Sequence, residues 1–215
     1  MNGGTATMTA CYISGGGNAT TNPNPVSVIT INGGTFNIYN PSAANQSLLI
    51  FGTGVSSTST LNLNGGILKH NNVSANTPSA GKTHTNTINF NGGTLDLDKG
   101  TSRAFPVNAP TGVTWNLVVK NGGAIISVTT STTMTLSVAF SNDGTNGGLT
   151  KIGAGILDMG SLAHSYNGAT TISAGTITRA VTTGASTGTA TFGASTLSVS
   201  FNVAPPSGTT TFKFF

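Results

Sequence analysis

Glutamate is missing from the chain, and aspartate occurs only as Asp96, Asp98, Asp143 and Asp158. Charged residues of both signs make up 6% of 215 residues, against about 25% in ordinary globular chains. That scarcity excludes a helical bundle, because Gly, Thr, Ser and Asn fill the vacated positions and are poor in helix interiors. Intrinsic disorder is excluded as well: it calls for high net charge and low hydrophobicity, whereas 36% of these residues are apolar. Cys11 is the sole cysteine, so no internal disulfide framework exists. No apolar run is long enough for a membrane-spanning helix. The eight cations stand singly along the chain; without a basic stripe, no nucleic-acid partner is expected. The start, MNGGTATMTACYISGGG, lacks the basic and then apolar regions of a secretory signal. Export is therefore expected through a signal outside this stretch or by release with a virion. Met1 sits directly on a repeat motif, and the polypeptide is expected to extend upstream.

What the chain has in abundance is one tripeptide. Asn-Gly-Gly occurs at Asn2-Gly3-Gly4, Asn32-Gly33-Gly34, Asn64-Gly65-Gly66, Asn91-Gly92-Gly93, Asn121-Gly122-Gly123 and Asn146-Gly147-Gly148. Successive copies lie 30, 32, 27, 30 and 25 residues apart, a spacing of the kind that marks repeat arrays. Around each copy apolar residues alternate with polar ones: Leu61 and Leu63, Ile88 and Phe90, Leu95 and Leu97. Further along, Met134, Leu136, Val138 and Phe140 keep the same period, as do Leu197, Val199, Phe201 and Val203. Period two marks a half-buried strand. No comparable stretch has the helical period, which excludes leucine-rich, ankyrin and tetratricopeptide repeats.

Two all-β architectures fit. Asn-Gly is the favoured two-residue hairpin turn, so an array of hairpins is one. The other is a parallel β-helix, in which short strands are joined by corners and each corner stacks on the one below. The second Gly and the count of two or three strands per repeat favour the β-helix. Corners need φ > 0, which Gly supplies and Asn tolerates. Stacked asparagines can also form an amide ladder from rung to rung. The sequence predicts a single solenoid domain over residues 1–215, with about eight or nine rungs and a β-rich end segment at 178–215. At the strand spacing of a sheet the rod would be about 40 Å long.

The stretch from Gly147 to Ile177, GGLTKIGAGILDMGSLAHSYNGATTISAGTI, resembles the autotransporter-associated β-helix repeat. The resemblance rests on Gly148-Leu149-Thr150-Lys151, Gly153-Ala154-Gly155, Leu157, Tyr166, Gly168, Thr170-Thr171-Ile172 and Ala174-Gly175-Thr176. It departs at LAHSYNG and at Ile156, where the repeat usually has Thr. The resemblance implies a right-handed parallel β-helix, exported, belonging to an adhesin or a long surface protein. It brings no catalytic residues, and the ending TTTFKFF is far too short to be a translocator barrel.

The search for chemistry is consistent with that. Asp96 and Asp98, in LDLD, would share the outer face of a strand. Paired carboxylates can bind Ca²⁺ or hydrolyse glycosides. With Lys99 adjacent and no third acid nearby, they read as solvated side chains. His70, His84 and His164 lack zinc-site spacing and read as loop residues, although His70 and His84 lie close enough in sequence to meet on neighbouring rungs. Lys82, in SAGKTH, lacks the first glycine of a phosphate loop. Cys11 reads as a small buried apolar group. Trp115 fits either the core or a sugar-stacking surface; Tyr12 and Tyr39 would stack on sugars if exposed, and Tyr166 reads as structural. The stretches NATTNPNPVS and KHNNVSANTPSAGKTHTN are expected to be projecting loops.

The sequence thus points to a non-enzymatic extracellular or cell-surface protein, or a virion component. No catalytic residue, cofactor or metal is expected. The fifteen corner residues from Asn32 to Gly148 are structural. The expected partners are other copies, end to end or side by side, or flanking domains of a longer chain, with surface glycans as a further candidate. The alternative is a tail-spike-like or lyase-like β-helix that processes or binds polysaccharide.

Overall fold

A computed structural model of the protein describes residues 1–8, 10–13, 24–38, 48–52, 55–70, 72–97, 102–179 and 190–192. Strand follows strand, in passes around one axis. The first pass is β1 (Asn2–Met8), β2 (Ala10–Ile13) and β3 (Val26–Ile31); the second is β4 (Gly33–Ile38), β5 (Leu48–Phe51) and β6 (Ser57–Leu63). The third is β7 (Ile67–His70), β8 (Asn72–Ala75) and β9 (His84–Phe90). The fourth is β10 (Thr94–Leu97), β11 (Arg103–Phe105) and β12 (Val113–Val119), and the fifth β13 (Ala124–Val128), β14 (Thr133–Leu136) and β15 (Phe140–Asn142). Later passes are shorter: β16 (Leu149–Ile152) with β17 (Ile156–Asp158), β18 (Thr170–Ile172) with β19 (Thr176–Thr178), then β20 (Ala190–Phe192). The described residues contain no helix.

Each strand pairs in parallel with its counterpart one pass away, as in the register Leu68↔Leu95 between β7 and β10 and Leu61↔Ile88 between β6 and β9. The result is three walls. The first is an eight-stranded sheet, β1-β4-β7-β10-β13-β16-β18-β20. The second is split into β2-β5-β8 and β11-β14-β17-β19, and the third is the five-stranded β15-β12-β9-β6-β3. This is the β-solenoid that the tripeptide spacing and period two predict; hairpins are not its unit, because all of these pairings are parallel.

The rung count differs from the expectation. Among the described residues the eight or nine expected rungs are approached on the first wall alone, which carries eight strands, while the third stops at five. The second predicted loop differs too. Among the described residues it contributes the end of β7, β8 and the start of β9, with residues 76–83 as a connection. Most of the first predicted loop, Tyr39, Asp98, Lys99 and the alternating stretch Leu197–Val203 lie outside the described residues.

The core follows from strand parity. On the first wall one inward column runs Phe36, Leu68, Leu95, Ile126, and on the third Leu61, Ile88, Leu117, Phe140. All are buried. A pass can bury its inward residues only against its neighbours, so the columns hold the passes together. Trp115 belongs to this core, with its ring edge-on to Phe51 at 4.9 Å and its indole N–H donating to the Asn108 carbonyl at 2.9 Å. Cys11 also faces the core, half-buried beside Leu49.

Candidate functional site

Every Asn-Gly-Gly within the described passes occupies the turn from the third wall to the first, or the start of the first-wall strand itself. Asn32 Nδ2 donates to Asn2 Oδ1 at 2.8 Å, and Asn64 Nδ2 to Asn32 Oδ1 at 3.0 Å. Two conditions select the glycines. At Gly66 the backbone is left-handed (φ 68°), and a Cβ would lie 2.5 Å from the Gly34 carbonyl oxygen of the pass below. No other residue satisfies both. The ladder then changes character. At Asn91 the side-chain oxygen accepts from the Gly122 N–H at 2.9 Å, and the positive φ moves to Gly92. Asn121 is exposed, with the positive φ back at Gly123. At Asn146-Gly147-Gly148 no positive φ occurs, and the glycines serve close approach alone: a side chain on Gly147 would overlap the Lys120 carbonyl.

The candidate chemical groups lie elsewhere than the sequence placed them. Asp96 is not a solvated side chain. It is 9% exposed, and Lys69 of the neighbouring strand approaches its carboxylate at 3.5 Å. The parallel register aligns Lys69 with Asp96, so lysine and aspartate on successive passes cover one another.

The histidines are also not loop residues. His70 ends β7 with the same parity as Leu68, and so points inward; it is 3% exposed, 5.6 Å from the Phe105 ring. Burial lowers its pKa to about 3, so it is neutral at ordinary pH. His84 opens β9 fully buried, with Nε2 3.0 Å from the Val55 carbonyl. The two lie on different walls, and no hydrogen bond joins them. His164 is half-buried. The Phe140 N–H donates to its Nδ1 at 3.0 Å, and its Nε2 lies 3.1 Å from the Met159 carbonyl, which fixes the Nε2–H tautomer. Burial holds its pKa below the ordinary histidine value. Tyr166 packs edge-on against Phe140, and its hydroxyl is 2.6 Å from Thr170 Oγ1; burial pushes its pKa up. Tyr12 is exposed, and Lys82 lies in an exposed turn. Among the described residues no three His, Cys, Asp or Glu side chains converge as a metal site would require.

Sequence reasoning missed the most unusual side chain. Lys151 stands in the core column between Ile126 and Ile172, fully buried. Its ammonium donates to the carbonyls of Ile152 and Gly153 at 2.6 Å each and of Ala174 at 3.3 Å. Burial lowers its pKa to about 8. The ammonium ties the corner after β16 to the corner of the next pass. A side chain on Gly175 would meet Lys151 Nζ at 2.8 Å, so that glycine makes room for it. The clue in the sequence is parity: Lys151 alternates with Leu149, which is buried.

The geometry therefore gathers polar atoms at corners, where they join one pass to the next. Residues 149–178 match the family model of the passenger-associated-transport-repeat. That span holds β16 to β19, Lys151 with its carbonyl partners, and the loop with His164 and Tyr166. Comparison with curated proteins and with solved structures finds no match to the chain. The molecule is a parallel β-solenoid carrying a passenger-associated transport repeat, in agreement with its resemblance to the autotransporter-associated β-helix repeat proteins.

Proposed function

We propose that this chain is a length of non-enzymatic shaft in an exported surface or fibre protein, with adhesion or spacing as its task. The observation that carries the reading is the passenger-associated repeat at 149–178, set in register on a solenoid whose first wall runs through eight strands. A repeat family of passengers suggests a secreted or surface location. The polar side chains support a structural role, since Lys151 and Asn64 are spent on holding one pass to another. The shaft is continued by further passes, supplied by flanking segments of a longer chain or by another copy. Among the described residues β1, β2 and β3 each pair on one side only, and an unpaired edge is a template for another strand.

Fractionation of cells or particles that carry the native protein tests location, with antibody detection and protease shaving. The expected result is protein at the surface or in the medium, lost on shaving. Confinement to the cytoplasm overturns the reading, as does release of oligosaccharides from a polysaccharide panel by the purified chain. Sedimentation at increasing concentration tests association.

A further inference from the structure

The outer surface of the third wall is used by none of these features. We propose that this face binds ice. Its outward side chains follow from parity and register. Thr58 and Thr60 on β6 stand beside Thr85 and Thr87 on β9, and Thr114 of β12 continues the first of these columns. Thr58, Thr85 and Thr114 are exposed. On β3 the same columns carry Val26 and Val28, 70% and 59% exposed. No outward residue of the five strands is charged. Along one margin the amides satisfy one another: Asn62 Nδ2 donates to Thr30 Oγ1 at 3.2 Å, and Asn89 Nδ2 to Asn62 Oδ1 at 2.7 Å.

Four classes of partner fail against this surface. Nucleic acid and anionic membranes need cations. Stacking on sugar rings needs aromatic side chains, and the outward positions have none. A second protein copy needs area: five strands at about 4.8 Å, by at most seven residues at about 3.3 Å, give no more than about 550 Å², below the roughly 800 Å² per partner of a stable complex. An uncharged face calls for an uncharged partner, and this one is ordered in two directions. Threonines repeat at about 4.8 Å across strands and about 6.7 Å along them, close to the oxygen repeats along the two principal directions of ice. The exposed Thr58, Thr85 and Thr114 each offer a hydroxyl to join the lattice and a methyl to exclude disordered water, while the half-buried Thr87 hydroxyl accepts from Asn116 Nδ2 at 3.4 Å. Because β-branched side chains are stiff at χ1, ordering them costs little entropy. A crystal lattice also needs no large single footprint, since attachment at many points on a growing front stops it.

The test uses the full chain and three variants. Thr85→Lys places charge at the centre of the face, and Thr85→Tyr, compatible with a strand, adds bulk without charge. Ser161→Lys, in an exposed turn, is the control. Circular dichroism and melting show that each variant is folded. The chain and Ser161→Lys should arrest ice recrystallisation and partition into a growing ice front, and both Thr85 variants should need at least tenfold higher concentration. Coarsening of ice as in buffer alone overturns the proposal, and so does undiminished potency of the Thr85 variants. A concentration-dependent dimer abolished by Thr85→Lys, without ice activity, would make the face a self-association surface and overturn it too.

Discussion

The coils up to β15 and those from β16 onward solve the same problem with different means. In the earlier part, strands of seven residues such as β6, β9 and β12 build the third wall, and apolar columns fill the space behind it. In the later part that wall receives no further strand among the described residues. A loop from Met159 to Asn167 lies against it instead. Side chains share with backbone the work of a strand: the Phe140 N–H finds His164 Nδ1, the Ser165 backbone N–H finds the Phe140 carbonyl, and the Asn142 side chain donates to the Ser165 carbonyl. The edge is thereby covered, which exposed sheet edges require. The family model matches the thinner region and not the thicker one. A core of period-two apolar residues tolerates many sequences of similar volume, whereas a pass with fewer strands needs particular groups at particular places: Lys151 at its corner, Gly175 beside it, Tyr166 on Phe140. Recognisable sequence tracks that dependence, not the amount of buried surface.

Substitutions should separate the two regions. The largest effect is expected at the corners. Gly66→Ala meets both a left-handed backbone and the Gly34 carbonyl, and should cost about 3–5 kcal/mol. Gly160→Ala in the later region has φ 56° but open space around it, so only the backbone term of about 1–2 kcal/mol remains. Equal losses in denaturant titrations would remove the distinction. Next come the columns. Leu95→Ala, between Leu68 and Ile126, should cost about 4 kcal/mol, and Leu157→Ala about 2 kcal/mol, because a site with fewer walls collapses more readily. Equal or reversed costs would show the later passes to be as tightly packed as the earlier ones.

Titration should set the regions apart by pH window, with stability rising with pH in both. His70 has a folded pKa of about 3, below its unfolded 6.5. The unfolded chain binds the extra proton between those values, so stability is fully present above pH 6.5 and falls as pH drops toward 3. Lys151 has a folded pKa of about 8, below 10.5. Here too the unfolded chain holds the proton longer, so stability rises from pH 8 toward 10.5. Each slope approaches about 1.4 kcal/mol per pH unit. His70→Leu should flatten the acid limb alone, and Lys151→Met the alkaline limb alone. A limb that survives its own substitution would show that other groups cause it. The smallest effect is expected for Asn32→Ala. It removes an exposed rung of the amide ladder and should lower stability by about 1 kcal/mol or less.

Much of the fold was legible because its two devices are local. The tripeptide marks a corner by backbone conformation, and alternation marks a strand by side-chain direction. The interior polar groups were legible by the same alternation but were read as surface residues by type. In HTNTINF, His84 and Asn86 share the parity of Ile88 and Phe90, and both are fully buried; in ILKH, His70 shares that of Leu68. Residue type misled because burial of a polar group depends on partners many residues away, such as the Val55 carbonyl for His84. The covering of Asp96 by Lys69 needed the inter-strand register, and the register depends on the residue count of a whole pass. The shortening of later passes was hidden for a similar reason: SLAHSYNG has a strand's length, but it meets β15 through a mixture of backbone and side-chain hydrogen bonds.

The shortfall of the third wall has a mechanical consequence. A rod with three walls resists bending in every direction, because material lies far from its axis on all sides. Where one wall gives way to a loop, stiffness is expected to fall in one plane and persist along the other two walls. Under side load the solenoid is expected to bend first near residues 159–167, toward the loop, with the eight-stranded wall as a continuous spine. A solenoid built this way has a directional joint with no break in its first sheet.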